Sequence, residues 1–476
     1  MEVNFSEEYY DKMLAKLFVR FPSFQKSGAS AYKPGIEHME HADMLLGHPH
    51  HLYKIIQVAG TNGKGSVSNM LASALASAGF KVGLYTSPHL LDFRERMRIV
   101  SGHFDSAHET VSSMIPKMEV WSFVNRWREM FDRLDLSFFE ITTLMALDWF
   151  ASQHVDVVVL ETGLGGRLDS TNIVTPVLSV ITNVGLDHCD LLGDTLQEIA
   201  FEKAGIIKAG IPVVVGESNP ETDRIFERKV MYVNSSQSDA LSGRNPMSGL
   251  LTFADRVCPI LWDIHEDILN DMDLRGEYQK QNLRTVLAAM DVLSSKNLLS
   301  SPENPAFILP AMRMKDALVH TAARTGFRGR WEKVSDDPYV VCDIGHNEHG
   351  LKYNFSQLSR LREEGRFTHL IMVYGSVADK DVDSVLRIFP SADVYVFTQA
   401  QGKRALSADR ICNKYLDFCS QTGRVAGDVR CSDSVADAVT LSFDIASAIR
   451  KEDSSARPYI YIGGSTYVVS EAMAVI

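Results

Sequence analysis

The sequence predicts an α/β protein built from two successive sheet-containing units. Short Val- and Ile-rich runs recur along the chain, most of them closing on glycine, and helix-forming stretches lie between them. The series breaks near residue 330 and then restarts. The runs are apolar at nearly every position instead of alternating, which suits strands covered on both faces by helices in a mostly parallel sheet.

Taken in order, Tyr10, Met13, Leu14 and Leu17 stand at helical spacing and predict an amphipathic helix over 6–19. KIIQVAG (54–60) reads as a strand ending in glycine, and VSNMLASALASAGF (67–80) as the helix that follows its loop. KVGLYTS (81–87) is a further short strand, after which TSPHLLDFRERMRI (86–99) reads as a loop carrying a charge run. VDVVVLETG (155–163), VLSVITNVG (177–185) and IPVVVGE (211–217) complete the first series. SSQSDALSGRNPMSG (235–249) has loop composition, and SGLLTFADRVCPILWDIHED (248–267) fits no pattern. The glycine-punctuated TGFRGR (325–330) reads as a linker. YVVCDIGHN (339–347), HLIMVYGS (369–376), DVYVFT (393–398) and PYIYIGGS (458–465) form the second series.

Composition narrows the function classes. The formal net charge of −12 excludes a general polyanion binder, because nucleic-acid binding needs clustered Lys and Arg. MEVNFSEEYYDKMLAKLF lacks the charged, apolar and cleavage regions of a signal peptide, and no run approaches about 18 apolar residues. A cytoplasmic protein without membrane or nucleic-acid partners is expected. The six cysteines include no C-x-x-C pair and read as reduced thiols.

The chemistry concentrates at strand ends. GTNGKGS (60–66) follows a strand and opens a helix, where backbone N–H groups and the helix's positive end gather around phosphate. Its spacing departs from G-x-x-x-x-G-K-[ST], so a glycine turn with a solvent lysine stays open as the alternative. Glu161 ends a buried strand, where a carboxylate can hold Mg²⁺ or cap the following turn. Asp187 and His188 end the next strand. Lys203 reads either as a solvated helix lysine or, if buried, as a neutral amine able to add CO₂. Ser87, His89, Arg94 and Arg96 lie in 86–99, where arginines can meet a carboxylate-rich ligand. Asp343, His346 and Asn347, then Asp379 and Lys380, stand at strand ends of the second series.

GTNGKGS (60–66), TSPHL with RERMRI (86–99), SFFEITTLMAL (137–147), LETGLGGRLDSTN (160–172), ITNVGLDH (181–188), EKAGI (202–206), GR (329–330), DIGHN (343–347) and DKD (379–381) occur in one order. That ordered set resembles the folylpolyglutamate synthase and dihydrofolate synthase family, a branch of the Mur-type ATP-dependent amide ligases, over nearly the whole chain. The resemblance implies an N-terminal P-loop ATPase domain with a central mostly parallel sheet over 1–326, a linker at 327–333 and a C-terminal Rossmann-like α/β domain over 334–476, with the active site in the cleft between them. Gly60, Thr61, Asn62, Gly63, Lys64, Gly65 and Ser66 then match the triphosphate loop, and Asn282, Arg330 and Asp343, with His346 beside them, the rest of the nucleotide site. Ser87, Glu161, His188 and Lys203 match ligands of two Mg²⁺ ions, with Lys203 carbamylated; Lys64, His188 and Lys203 are the residues placed at the chemistry. Pterin recognition falls on Ser137, Phe138, Phe139 and Glu140 and on Leu168, Asp169 and Ser170. Thr162, Cys189 and Trp331 depart from the family's usual Val, Thr and Phe without removing a ligand.

The implied reaction adds L-glutamate to dihydropteroate, to reduced folates, or to both, at the expense of ATP, in a monomer. A UDP-muramoyl amino-acid ligase of the same superfamily and a P-loop NTPase that ligates nothing are the rival readings.

Overall fold

The continuous apolar runs become buried strands in a computed structural model that describes residues 5–21, 35–102, 110–235, 249–257, 264–300 and 311–476. Most of the loop expected at 235–249, and 258–263 of the unassigned stretch, lie outside the described residues. The chain divides into two compact units. One comprises residues up to Asp273 together with Gln279–Phe327, and the other Leu274–Tyr278 with Arg328–Ile476. The main passage between them falls at Phe327 and Arg328, while five residues embedded in the first series group with the second unit.

In the first unit the strands are β1 (Lys54–Ala59), β2 (Val82–Tyr85), β3 (Met97–Gly102), β4 (Thr110–Met114), β5 (Val157–Glu161), β6 (Leu178–Ile181), β7 (Val213–Val215) and β8 (Leu251–Phe253). They lie in the order β4-β3-β2-β5-β1-β6-β7-β8. Only β2–β3 and β3–β4 pair antiparallel. The register sets Val58 of β1 against Glu161 of β5, and Ala59 against Ile181 of β6, so the loop after β1 leaves between two strand ends. A sheet buried on both faces demands this residue usage: Ile55, Ile56, Val58, Ala59, Val157, Val158, Val159 and Leu160 are all buried.

The stretch 86–99 is less open than its charge run suggests. Residues Phe93–Arg96 form a 3-10 turn and Met97 already begins β3, with Met97, Ile99 and Val100 turned into the core. The arginines masked a buried alternation. Part of the unassigned 248–267 stretch supplies the edge strand β8.

The second unit contains β9 (Glu332–Asp336), β10 (Tyr339–Asp343), β11 (His369–Tyr374), β12 (Val394–Thr398), β13 (Asp428–Ser432) and β14 (Pro458–Gly463), in the order β13-β12-β11-β14-β10-β9. All neighbours are parallel except β9–β10. Its core is strongly aromatic: Tyr374, Phe389, Tyr395, Phe397, Tyr415 and Tyr461 pack as tilted, stacked or edge-on rings. Among the described residues no helix is long and apolar enough to cross a membrane.

Candidate active site

The loop after β1 is shaped by backbone that side chains would obstruct. Gly60 has φ +153° and Gly63 φ +80°. A Cβ on Gly60 would lie 1.8 Å from Thr182 Oγ1, and one on Gly63 2.2 Å from Asn282 Oδ1. The segment after β6 pins the loop: Asn62 N donates to Asn183 Oδ1 (3.0 Å), Thr61 Oγ1 to the Gly185 carbonyl (3.1 Å), and Thr182 Oγ1 to the Asn62 carbonyl (2.5 Å). Helix Lys64–Ser77 begins directly after Gly63 with no side-chain cap, which leaves its positive end facing the loop. Lys64 Nζ folds back onto the carbonyls of Gly60 (3.0 Å) and Thr61 (3.2 Å). Helix Gln279–Ser295 buttresses the loop, with Gln279 Nε2 donating to Ser66 Oγ (3.2 Å) and Asn282 Nδ2 to Gln279 Oε1 (2.8 Å). The structure thus gathers Gly60 to Ser66 and Asn282.

Glu161 ends β5, Ser87 follows β2 and His188 follows β6, and Lys203 senses the charges of Lys64 and Asp187. Glu161 is buried at the end of β5, and its Oε2 accepts from Ser87 N at 3.4 Å. His188 has φ +53° and donates its backbone N–H to Asp187 Oδ1 (2.9 Å), with its Nε2 3.8 Å from Asp187 Oδ2. Lys203 closes helix Leu196–Lys203, whose start is fixed by a Thr195–Glu198 capping box, and it is only 1% exposed. Desolvation chiefly, and the nearby Lys64 charge next, push its amine down to about 7, against the pull of Asp187 and Asp169. Lys203 is therefore no solvated lysine. Asp187, which the sequence offers with His188 as a potential oxygen ligand, is one of two carboxylates whose charge it feels.

Among the described residues no group of three or more His, Cys, Asp or Glu side chains forms a ready-made metal cage. The donors present, one buried carboxylate, one hydroxyl and one imidazole around a phosphate-shaped loop, fit Mg²⁺, which takes one or two protein groups and completes its shell with phosphate oxygens and water.

The pterin candidates divide by exposure. Ser137 and Glu140 form a reciprocal capping box on helix Phe138–Ser152, with Ser137 N donating to Glu140 Oε2 at 2.6 Å. Phe138 is buried and stacks on Phe18 at 4.8 Å between ring centroids. Asp169 is buried as well, accepting from Thr171 Oγ1 (2.6 Å), Thr171 N (3.0 Å) and Leu164 N (2.8 Å), and burial raises its pKa. Ser137, Glu140 and Asp169 thus bond within their own elements, while Phe138 packs against Phe18 of helix Glu7–Arg20. Phe139, Leu168 and Ser170 keep partly exposed side chains, and Phe139 covers Gly163 so closely that a Cβ there would lie 2.5 Å from its ring.

In the 86–99 stretch Arg94 is tied to Asp92 in its own turn (Nη2–Oδ2 2.7 Å). Arg96 is buried and donates from Nε to His89 Nδ1 at 2.9 Å, and desolvation plus that guanidinium drop His89 to about 3. His89 is thus a neutral imidazole with its proton on Nε2.

In the second unit Asp343 ends β10, with only 1% of its surface exposed. Trp331, at φ +49°, donates its N–H to Asp343 Oδ2 (2.8 Å). Tyr278, which sequence reasoning missed, donates its hydroxyl to the same oxygen at 2.6 Å. Arg330 precedes Trp331 and His346 follows the Asp343 turn, with His346 Nδ1 3.1 Å from the Ile344 carbonyl. Asp379 Oδ2 accepts from Arg404 Nη2 at 2.5 Å. A tyrosine in a Gly-Glu-Tyr turn gives no spacing signal from which its hydroxyl partner could be read.

Comparison with known proteins bears on the family and the fold. The model of the Mur ligase glutamate ligase domain matches residues 329–452. The dihydrofolate synthase/folylpolyglutamate synthase of Bacillus subtilis is 32% identical over 369 residues, covering 75% of this chain and 78% of the relative. Two solved structures share the fold: Escherichia coli FolC in complex with DHPP and ADP (TM-score 0.71, 24% identity, 98% of this chain and 97% of that one) and the Yersinia pestis bifunctional folylpolyglutamate synthase/dihydrofolate synthase complexed with AMPPNP and a Mn ion (TM-score 0.70, 24% identity, 98% and 97%). With a phosphate-shaped loop, a buried lysine and a buried carboxylate at one sheet end, and a relative of that identity and coverage, the chain belongs to the dihydrofolate synthase/folylpolyglutamate synthase family.

Proposed function

We propose that this chain is an ADP-forming ligase that joins the α-amine of L-glutamate to the carboxylate of dihydropteroate and to the γ-carboxylate of reduced folates, in both cases through an acyl phosphate made from ATP. The observation that supports the reading is that the buried Lys203 senses the charges of Lys64 and of Asp187, the neighbour of His188, while Glu161 and Ser87 meet at the carboxyl ends of β5 and β2 in the same sheet. A nucleotide hydrolase or switch has no need of a second lysine beside the loop, whereas Lys203, buried and with a depressed pKa, supports a carboxylate-activating site.

In this reading the loop N–H groups and the start of helix Lys64–Ser77 bind the triphosphate, and Lys64 leaves its two carbonyl partners to meet the γ-phosphate. Asn282, beside the loop, is assigned to the adenine, and Arg330, Asp343 and His346 are assigned to nucleotide binding as well. Ser87, Glu161 and His188 would hold Mg²⁺, with Lys203 as a carbamate. Magnesium supplies charge neutralisation on the phosphates as the γ-phosphoryl group moves. With a pKa near 7, a large share of Lys203 is neutral amine at neutral pH; attack of that amine on CO₂ forms the N–C bond and releases one proton, leaving a carbamate anion. Phe139, Leu168 and Ser170 present the surface proposed for the pterin.

The working form is proposed as a cytoplasmic monomer. The deciding experiment compares glutamate-dependent ADP release with dihydropteroate, a reduced folate and a UDP-linked muramoyl acceptor. Release with both pterin acceptors supports the dual activity; release with the muramoyl acceptor alone, or without glutamate, overturns the proposal.

A further inference from the structure

Asp343 uses both of its oxygens completely. Oδ1 accepts from Gly345 N (2.7 Å) and Asn354 Nδ2 (2.7 Å), and Oδ2 from Trp331 N (2.8 Å) and Tyr278 Oη (2.6 Å). A carboxylate has about four acceptor positions, so no place is left for a fifth donor. Yet a carboxylate at the carboxyl end of a Rossmann-like strand is where a nucleotide's ribose hydroxyls are held.

The four donors differ in how easily they can leave. Two are backbone N–H groups, and Asn354 is fully buried with a second bond to Tyr461 Oη (3.0 Å). Tyr278 is partly exposed and hangs from the end of the short segment Leu274–Tyr278. That segment is anchored independently of the tyrosine ring: Glu277 N donates to Gln357 Oε1 (2.9 Å), Gln357 Nε2 to the Arg275 carbonyl (2.9 Å), and Arg360 Nε to Glu277 Oε1 (2.6 Å). The segment's anchors therefore do not depend on the bond from the Tyr278 hydroxyl to Asp343.

We infer that Tyr278 is a place-holder for ribose: its hydroxyl satisfies Asp343 in the nucleotide-free protein and gives way to a ribose hydroxyl when the nucleotide binds. Its role is to set nucleotide affinity, not to take part in chemistry. It also keeps the buried carboxylate from facing an empty site, where it would lack a donor. The inference rests on the proposed nucleotide role of Asp343.

The test is calorimetric titration of the full-length protein and its Tyr278→Phe variant with ADP, 2′,3′-dideoxy-ADP and inorganic tripolyphosphate. Removing the competing hydroxyl should tighten ADP about two- to tenfold, the worth of one net hydrogen bond, and leave the other two ligands unchanged. Equal or weaker ADP binding by a variant with the parent's melting temperature overturns it. In the unmutated protein carrying ring-labelled tyrosine, ADP should shift a tyrosine signal that dideoxy-ADP leaves in place; no such shift also overturns it. Asp343→Asn separates the two levels: if it leaves the preference for ADP over dideoxy-ADP intact, the ribose role of Asp343 itself fails.

Discussion

Lys203 and Asp343 are both charged groups with 1% of their surface exposed, one in each unit, and the fold treats them in opposite ways. Asp343 receives four hydrogen bonds between 2.6 and 2.8 Å. Lys203 receives no such shell among the described residues; a like charge on Lys64 adds to its desolvation, and Asp187 and Asp169 oppose it. A buried ion with a complete set of partners is a fixed acceptor, whereas one without them gives up its charge or its proton. The first arrangement positions a ligand. The second prepares a group for reaction.

The largest test breaks the reactive member of the pair. Lys203→Ala should lower kcat for glutamate-dependent ADP release by about 10³-fold or more, as for loss of a group that organises the charge at a phosphoryl-transfer site. Added formate or acetate should restore part of it by standing in for the carbamate. Lys203→Arg should not be active, because a guanidinium neither loses its proton nor adds CO₂. Full activity in Lys203→Ala ends the contrast with Asp343.

Lys64→Ala comes next, at about 10²–10³-fold in kcat, the cost of removing one electrostatic stabiliser. The same substitution should raise the pKa of Lys203, since the Lys64 charge is one of its depressing causes. Unaltered turnover would detach Lys64 from the γ-phosphate.

Asp343→Asn probes the satisfied member through stability. An amide can accept at one position only, so two of the four donors meet an NH₂ group in place of an oxygen. Thermal or denaturant unfolding should show a loss of about 2–3 kcal/mol, the range for buried bonds to a charged group. A loss near zero would mean that the four short bonds confer little stability.

The same contrast marks what the sequence can reveal. β1, β5, β6, β7, β10, β11, β12 and β14 were readable because a sheet buried on both faces writes itself as consecutive apolar residues. β3 was hidden because Arg94 and Arg96 stand just before it and Arg98 interrupts it, while the three guanidiniums bond to Asp92, His89 and the Thr325 carbonyl. The Gly60–Ser66 loop was readable since strand, glycine turn, lysine and helix are all local in sequence. The burial of Lys203 and the donor from Tyr278 to Asp343 were not, since each depends on residues far apart along the chain. Ser137, Glu140 and Asp169 carried a substrate assignment by resemblance, but their short-range pattern is equally that of a helix cap and a turn, and those bonds are the ones they make.

The smallest effect tests the protonation of Lys203 without any catalysis. With an ordinary lysine pKa of 10.5 in the unfolded chain and about 7 in the fold, Lys203 is protonated in both states below pH 6, so pH does not alter its penalty there. Above pH 7 the folded state sheds the proton while the unfolded state keeps it. The unfolded state then binds more protons, and stability rises with pH. Lys203→Met removes this dependence while keeping the apolar stem. In CO₂-free buffer the variant should be the more stable protein at pH 6, and its advantage should shrink by about 1 kcal/mol between pH 7 and pH 8, the integral of one group titrating near 7. Urea unfolding at matched ionic strength reads the difference, in which other titrating groups largely cancel. An advantage that stays constant from pH 6 to pH 9 would return Lys203 to the ordinary lysine range, and with it remove the neutral amine on which the carbamate depends.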